Sequence, residues 1–209
     1  MSLINAQDVS CQQGNYPLFE PVSFTLDAGQ SLLISGPNGI GKTTLLESLA
    51  GLRAIQQGTI EYKELNLAKN KDEWFDNSLF IGHKTGNKKE LTCLENLQSF
   101  IQIQGISVNK DKAEDALEQV GLAGYEYQFA GSLSAGQKKR LALARLTLNS
   151  QPVWILDEPF VNLDVAGCDW LLDVLKHHLS NNGLLIITAH DNKTIKHTVT
   201  QELVLESAL

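Results

Sequence analysis

Gly36-Pro37-Asn38-Gly39-Ile40-Gly41-Lys42-Thr43-Thr44 is the stretch on which the fold turns. Before it, Ser31-Leu32-Leu33-Ile34 is a short apolar run suited to a buried strand. After it, Thr44 to Ala50 has helical composition and stops at Gly51. Strand, glycine-rich loop and helix in that order make a phosphate-binding P-loop. Glycines 36, 39 and 41 let the backbone turn its N–H groups inward around a phosphate, Lys42 reaches the β- and γ-phosphates, and the Thr43 hydroxyl suits Mg²⁺. A chance glycine turn beside a lysine lacks this strand-to-helix context.

Working outward, 209 residues suit one domain, or a core with an inserted subdomain. With 17 Lys+Arg against 24 Asp+Glu, the net charge of −7 argues against a nucleic-acid footprint and against adhesion to anionic lipid by charge. Met1-Ser2-Leu3-Ile4-Asn5 has no basic region leading into an apolar core, so no signal peptide is expected. Nor is there a run of about eighteen apolar residues. Cys11, Cys93 and Cys168 are odd in number and far apart, which suggests neither a disulfide frame nor a zinc site.

Val22 to Leu26 alternates apolar and polar, and residues 1–35 read as an antiparallel β lead-in, joined by Gly58 to Tyr62. Leu65 to Asn77 reads as polar and turn-rich. Leu79-Phe80-Ile81 is a compact strand that empties into the polar loop Gly82 to Lys89, a candidate site edge. From Leu94 to about Gly121 the period is helical, with Asn109 a candidate cap, and residues 85–150 read as an inserted helical subdomain. The strand Val153 to Leu156, a helix near Ala166 to Leu179, the strand Leu184 to Thr188 and the short strand Glu202 to Leu205 then imply a mainly parallel sheet.

Val153-Trp154-Ile155-Leu156 runs straight into Asp157-Glu158, and acids at the carboxyl edge of a parallel sheet stand where a nucleotide's metal is held. Asp157 is the expected Mg²⁺ ligand. Glu158 points differently and suits a general base for the water that attacks the γ-phosphate.

Leu133-Ser134-Ala135-Gly136-Gln137 opens a further helical run from Lys138 to Asn149. Here the chain resembles the ATP-binding-cassette (ABC) ATPases, whose signature Leu-Ser-Gly-Gly-Gln it matches with Ala135 for the first glycine. Ser134 at a helix start, with small residues after it, offers a second anion site. The resemblance implies an α/β P-loop NTPase of the ABC type in one nucleotide-binding domain spanning residues 1–209. Its core would be a mainly parallel sheet, with the antiparallel lead-in and the inserted helical subdomain. ATP and Mg²⁺ are the implied cofactors. It places Asn162-Leu163-Asp164 at the dimer-contacting D-loop and His190 at the γ-phosphate-sensing switch histidine, which joins Lys42 and Glu158 in catalysis. It sets Ser134, Ala135, Gly136 and Gln137 against the γ-phosphate of a second copy of the chain. Where the family usually has a metal-sensing glutamine this sequence has His83, a candidate metal ligand. Where an aromatic residue stacks on adenine it has Gln13, with Tyr16 the nearest substitute and read as a packing residue. His177-His178 and Lys138-Lys139-Arg140 read as solvated helix faces.

Gly82-His83, Gly86, Glu90 to Leu97 and Trp154 to Phe160 narrow the resemblance to the ATP-binding subunits of haem exporters in bacterial cytochrome c maturation. That implies integral membrane partner subunits, peripheral attachment on the cytoplasmic side of the inner membrane, and no haem on this chain. The alternatives are a cassette subunit for another small solute, a soluble cassette protein of DNA repair or translation, and a small P-loop kinase.

Overall fold

The computed structural model describes residues 3–105, 110–189 and 195–208. Asn109 and His190 lie outside them. The strands are β1 (Ile4–Ser10), β2 (Gln12–Gln13), β3 (Tyr16–Pro17), β4 (Val22–Leu26), β5 (Ser31–Ser35), β6 (Gln57–Tyr62), β7 (Leu65–Asn66), β8 (Ser78–Ile81), β9 (Val153–Leu156), β10 (Leu184–Thr188) and β11 (Gln201–Val204). The helices are α1 (Lys42–Leu49), α2 (Lys71–Asn77), α3 (Cys93–Ile103), α4 (Lys110–Gln119), α5 (Ala135–Leu143) and α6 (Val165–Ser180).

β5, β9 and β10 are buried at every position, and they occupy the interior of a five-stranded parallel sheet of order β11-β5-β10-β9-β8. Near-continuous apolar runs belong in such a sheet because both faces are covered. β4 alternates buried and exposed residues, and it sits at one edge of a separate antiparallel sheet, β4-β1-β6-β7, with one face inward. Leu45, Leu46 and Leu49 press α1 into the core shared with Ile34, Ile155 and Ile186. Gly51, at φ 74°, ends α1 in the left-handed conformation, and Leu52 N–H donates back to Glu47 O at 2.9 Å.

The chain forms two compact units: Met1–His83 with Gln151–Glu158 and Leu175–Leu209, and Lys84–Ser150 with Pro159–Val174. The second has its own core, in which Leu94, Leu97, Leu117 and Leu141 take part. Thr92 caps α3 through a full capping box with Glu95, a Thr-x-x-Glu signal legible in the chain.

The structure departs from the sequence pattern at four places. Leu65 to Asn77 is not all turn, since it contains α2, fixed by the buried Trp74. Tyr16 does not pack, being 72% exposed. Lys139 is buried, and Arg140 pairs with Asp164, so neither lies on a solvated face. The His178 ring is part-buried and stacks on Trp154, with centroids 3.7 Å apart and planes 7° from parallel, while Nε2 lies 3.2 Å from Leu184 O. A Cβ on Gly183 would come within 2.3 Å of that ring, so only glycine permits the stack.

Burial lowers the His178 pKa, against smaller raising contributions from the Leu184 and Pro152 carbonyls. The neutral ring is therefore the folded form. Its stabilisation is present above the unfolded histidine value of about 6.5 and is lost as pH falls below it. The melting temperature should drop between about pH 7 and about pH 5, and His178→Phe should flatten that slope. An unchanged slope in the variant would count against this assignment.

Candidate functional site

The P-loop joins β5 to α1. Gly41, at φ 110°, is the residue before α1, and a Cβ there would meet Leu18 and Phe19 at 3.1 Å. Gly36, at φ 141°, would place a Cβ 3.0 Å from Leu205 O. The loop is thus held from behind by residues on which a side chain would intrude. Lys42 Nζ donates to Gly36 O at 2.8 Å and to Pro37 O at 3.0 Å, which curls its ammonium across the loop.

Sheet register fixes the acids. Ile187 pairs with Leu156 and Thr188 with Ile34, so Thr188 stands level with Asp157 and beside the strand that leads into the P-loop. Thr188 Oγ1 donates to Asp157 Oδ1 at 2.6 Å, and Thr43 Oγ1 donates to Asp157 Oδ2 at 2.8 Å. Asp157 is 1% exposed, and Asp157 N–H donates to Ile81 O at 2.9 Å. Glu158, the next residue, takes φ 47°, a left-handed conformation uncommon outside glycine and found where a site imposes it. Its N–H donates to Thr188 Oγ1 at 2.9 Å. His83 Nδ1 lies 3.6 Å from Glu158 Oε2. Asn38, Gly39, Gly41, Lys42, Thr43, Thr44, His83 and Glu158 together line one cleft of about 470 Å³.

A hydroxyl and a carboxylate in contact at the start of α1 fit Mg²⁺, which takes one or two protein oxygens and leaves the rest of its shell to phosphate and water. Among the described residues no group of three or more His, Cys, Asp or Glu forms a dedicated cage. The cleft, with its loop N–H groups and Lys42, fits a polyphosphate.

In the second unit Ser134 is exposed and caps α5. Its Oγ accepts from Gln137 N–H at 3.2 Å, and Ser134 N–H donates to Gln137 Oε1 at 2.9 Å. Ala135 is exposed, so its methyl meets no steric bar where the family has glycine. A Cβ on Gly136, by contrast, would lie 2.7 Å from Asn162 O. Asp164 accepts from Gly167 N–H at 3.0 Å and from Arg140, and so caps α6. The Gly167 N–H, and then Arg140, hold its carboxyl below the usual range.

Thr188 is a site residue that no motif in the sequence marks. Its signal was a hydroxyl at the end of a buried parallel strand neighbouring the one that ends in Asp157. Thr188→Val removes a buried donor from Asp157 and strands the Glu158 N–H. Urea unfolding should register a loss of about 1–3 kcal/mol. A loss under about 0.5 kcal/mol would mean these bonds contribute little to the fold.

The family model described as ABC transporter matches residues 19–161. The cytochrome c biogenesis ATP-binding export protein CcmA of Dechloromonas aromatica (strain RCB) is 41% identical over 96% of this chain and 98% of that protein. Among solved structures, an ATP-binding subunit of an ABC transporter superposes with TM-score 0.89 at 23% identity, over 98% of this chain and 86% of that one. The ATP-binding cassette MJ0796, a dimer in a post-hydrolysis state bound to ADP and Pi, gives TM-score 0.86 at 20% identity, over 97% of this chain and 94% of that one. These two structures speak for the fold alone. This chain is a member of the ABC transporter family, an ATP-binding subunit whose activity is transport-coupled ATP hydrolysis.

Proposed function

We propose that this chain is the ATP-hydrolysing subunit of the haem exporter of bacterial cytochrome c biogenesis. Similarity to CcmA across nearly the whole chain supports the cargo assignment. The observation that carries the chemistry is the divergence of Asp157 and Glu158. One is buried between two hydroxyls, while the other is turned by its left-handed backbone to line the cleft.

In this reading the P-loop N–H groups and Lys42 bind the β- and γ-phosphates. Thr43 and Asp157 hold Mg²⁺, which when bound neutralises phosphate charge and fixes its orientation. Glu158 accepts the proton of the water that attacks the γ-phosphorus as the bond to the β-phosphate oxygen breaks. His83, beside Glu158, stands where it can hydrogen-bond that carboxylate. His190 takes the γ-phosphate from the family resemblance. Ser134 to Gln137 face the γ-phosphate of a second copy in a head-to-tail dimer, an assembly in keeping with the dimeric cassette of the same fold.

No described helix is long and apolar enough to cross a membrane, so attachment to the inner membrane is assigned to integral partner subunits. Haem is carried elsewhere in the complex.

Glu158→Gln keeps the shape and loses the base. Hydrolysis should fall about a hundredfold or more, while the variant still binds ATP and dimerises with it in light scattering. Hydrolysis at the wild-type rate would remove Glu158 from the role. The cargo is tested in cells: Lys42→Ala should leave the transporter assembled yet abolish haem-stained c-type cytochromes. Normal maturation would defeat the haem-exporter reading and leave the ATPase intact.

A further inference from the structure

β5, the strand that leads into the P-loop, is apolar at Leu32, Leu33 and Ile34 but begins and ends on buried serines. Both serines are answered by the C-terminal segment of the same unit. Ser31 N–H donates to Thr200 Oγ1 at 2.9 Å, and the Thr200 hydroxyl donates to Ser31 O at 2.8 Å. At the other end Ser35 Oγ donates to Glu202 Oε1 at 2.9 Å. Glu202 Oε2 lies 3.8 Å from Lys196 Nζ, a largely exposed pair that adds little. The sheet does not need the Ser35–Glu202 bond, because β11 already pairs with β5 from Gln201 to Val204. An apolar residue at position 35 would simply continue the buried run. What the hydroxyl adds is direction.

Ser35 is the last residue before the loop. Its carbonyl accepts from Leu205 N–H at 2.9 Å while its hydroxyl is held by Glu202, so backbone and side chain are both fastened to the C-terminal segment. Gly36 comes next, stands against Leu205 O, and turns its own carbonyl to Lys42 Nζ at 2.8 Å. Beyond Leu205, Glu20 N–H donates to Glu206 O at 3.0 Å, which ties the same segment to the stretch holding Leu18 and Phe19 behind Gly41. A loop that holds an anion keeps its N–H groups inward and its carbonyls turned away. The peptide between Ser35 and Gly36 is where that orientation starts.

We propose that Glu202 is a positioning residue for ATP binding. Through the Ser35 hydroxyl it fixes the peptide that enters the P-loop, and so sets where the Gly36 carbonyl points and where the Lys42 ammonium rests. Glu202 does not line the cleft itself. Its effect falls on phosphate affinity rather than on the chemistry at Glu158. With the bond gone, the Gly36 carbonyl is free to turn toward the phosphate, and its partial negative charge opposes the ground state and the transition state alike. This rests on the role given above to the P-loop and Lys42.

Calorimetric titration of the purified full chain with ATP tests it. Glu202→Ala and Ser35→Ala should each weaken ATP binding about fivefold or more. KM should rise with it while kcat stays within about twofold of wild type, the mark of binding lost equally from ground and transition states. Glu202→Gln keeps an acceptor for the hydroxyl and should bind ATP within about twofold of wild type. The double alanine variant should bind no more weakly than the weaker single one, because the same bond is lost in each. A bond that only supports the fold would lower the melting temperature of both alanine variants and leave their Kd for ATP unchanged. That result, additive losses in the double variant, or failure of Glu202→Gln to restore affinity would overturn the proposal. If Glu202→Ala does not fold, Ser35→Ala and Glu202→Gln decide it. Lys42→Ala separates this proposal from the reading beneath it. Lost ATP binding there, with wild-type affinity in Ser35→Ala, sinks the positioning role alone, whereas wild-type affinity in Lys42→Ala removes the lysine's role and the proposal with it.

Discussion

One buried carboxylate carries the most connections at the site. Asp157 receives the hydroxyls of Thr43 and Thr188 and gives its N–H to Ile81 O, and so joins the P-loop helix to β9, β10 and β8. A carboxylate at 1% exposure is tolerable only where donors replace its water. Here those donors are the residues a nucleotide site needs in register. The same Thr188 hydroxyl takes the Glu158 N–H, which helps hold the left-handed turn that separates the two acids. Sheet pairing supplies the level, and the hydroxyls supply the aim.

The second unit solves a comparable problem with cations. Arg140 joins α5 to the Val120 carbonyl and to the Asp164 cap of α6, and Arg145 joins the turn after that helix to residues 85 and 87. α5 begins at the Ser134 capping box, so its start is set by its own residues, its body by Arg140 and the turn that follows it by Arg145. A helix that has to present its N-terminus accurately gains from fastening along its length.

The α/β fold was legible because its decisive segments are local. Ser31 to Ser35 and Val153 to Leu156 are apolar enough to name a strand buried on both faces, and the glycines after Ser35 name the turn that follows. α2 was not legible, because only Trp74 among its seven residues is buried and no apolar period develops. His178 beside His177 looked like a polar helix end, since its partner Trp154 is on another element and the space for its ring is left by Gly183. Lys139 and Arg140 misled for the same reason, as burial and pairing with Asp164 depend on tertiary contact that a charge run does not reveal. At the cleft, residue types pointed to Thr43, Asp157 and Glu158, but Thr188 entered only through strand register.

The central claim is that Asp157 serves the metal while Glu158 serves the water. Calorimetric titration of Asp157→Asn with ATP, with and without Mg²⁺, addresses it most directly, because the amide keeps the size of the side chain and removes the charge a divalent cation requires. The account predicts that the variant binds metal-free ATP as the wild type does and loses the gain in affinity that Mg²⁺ brings. An undiminished Mg²⁺-dependent gain would contradict it.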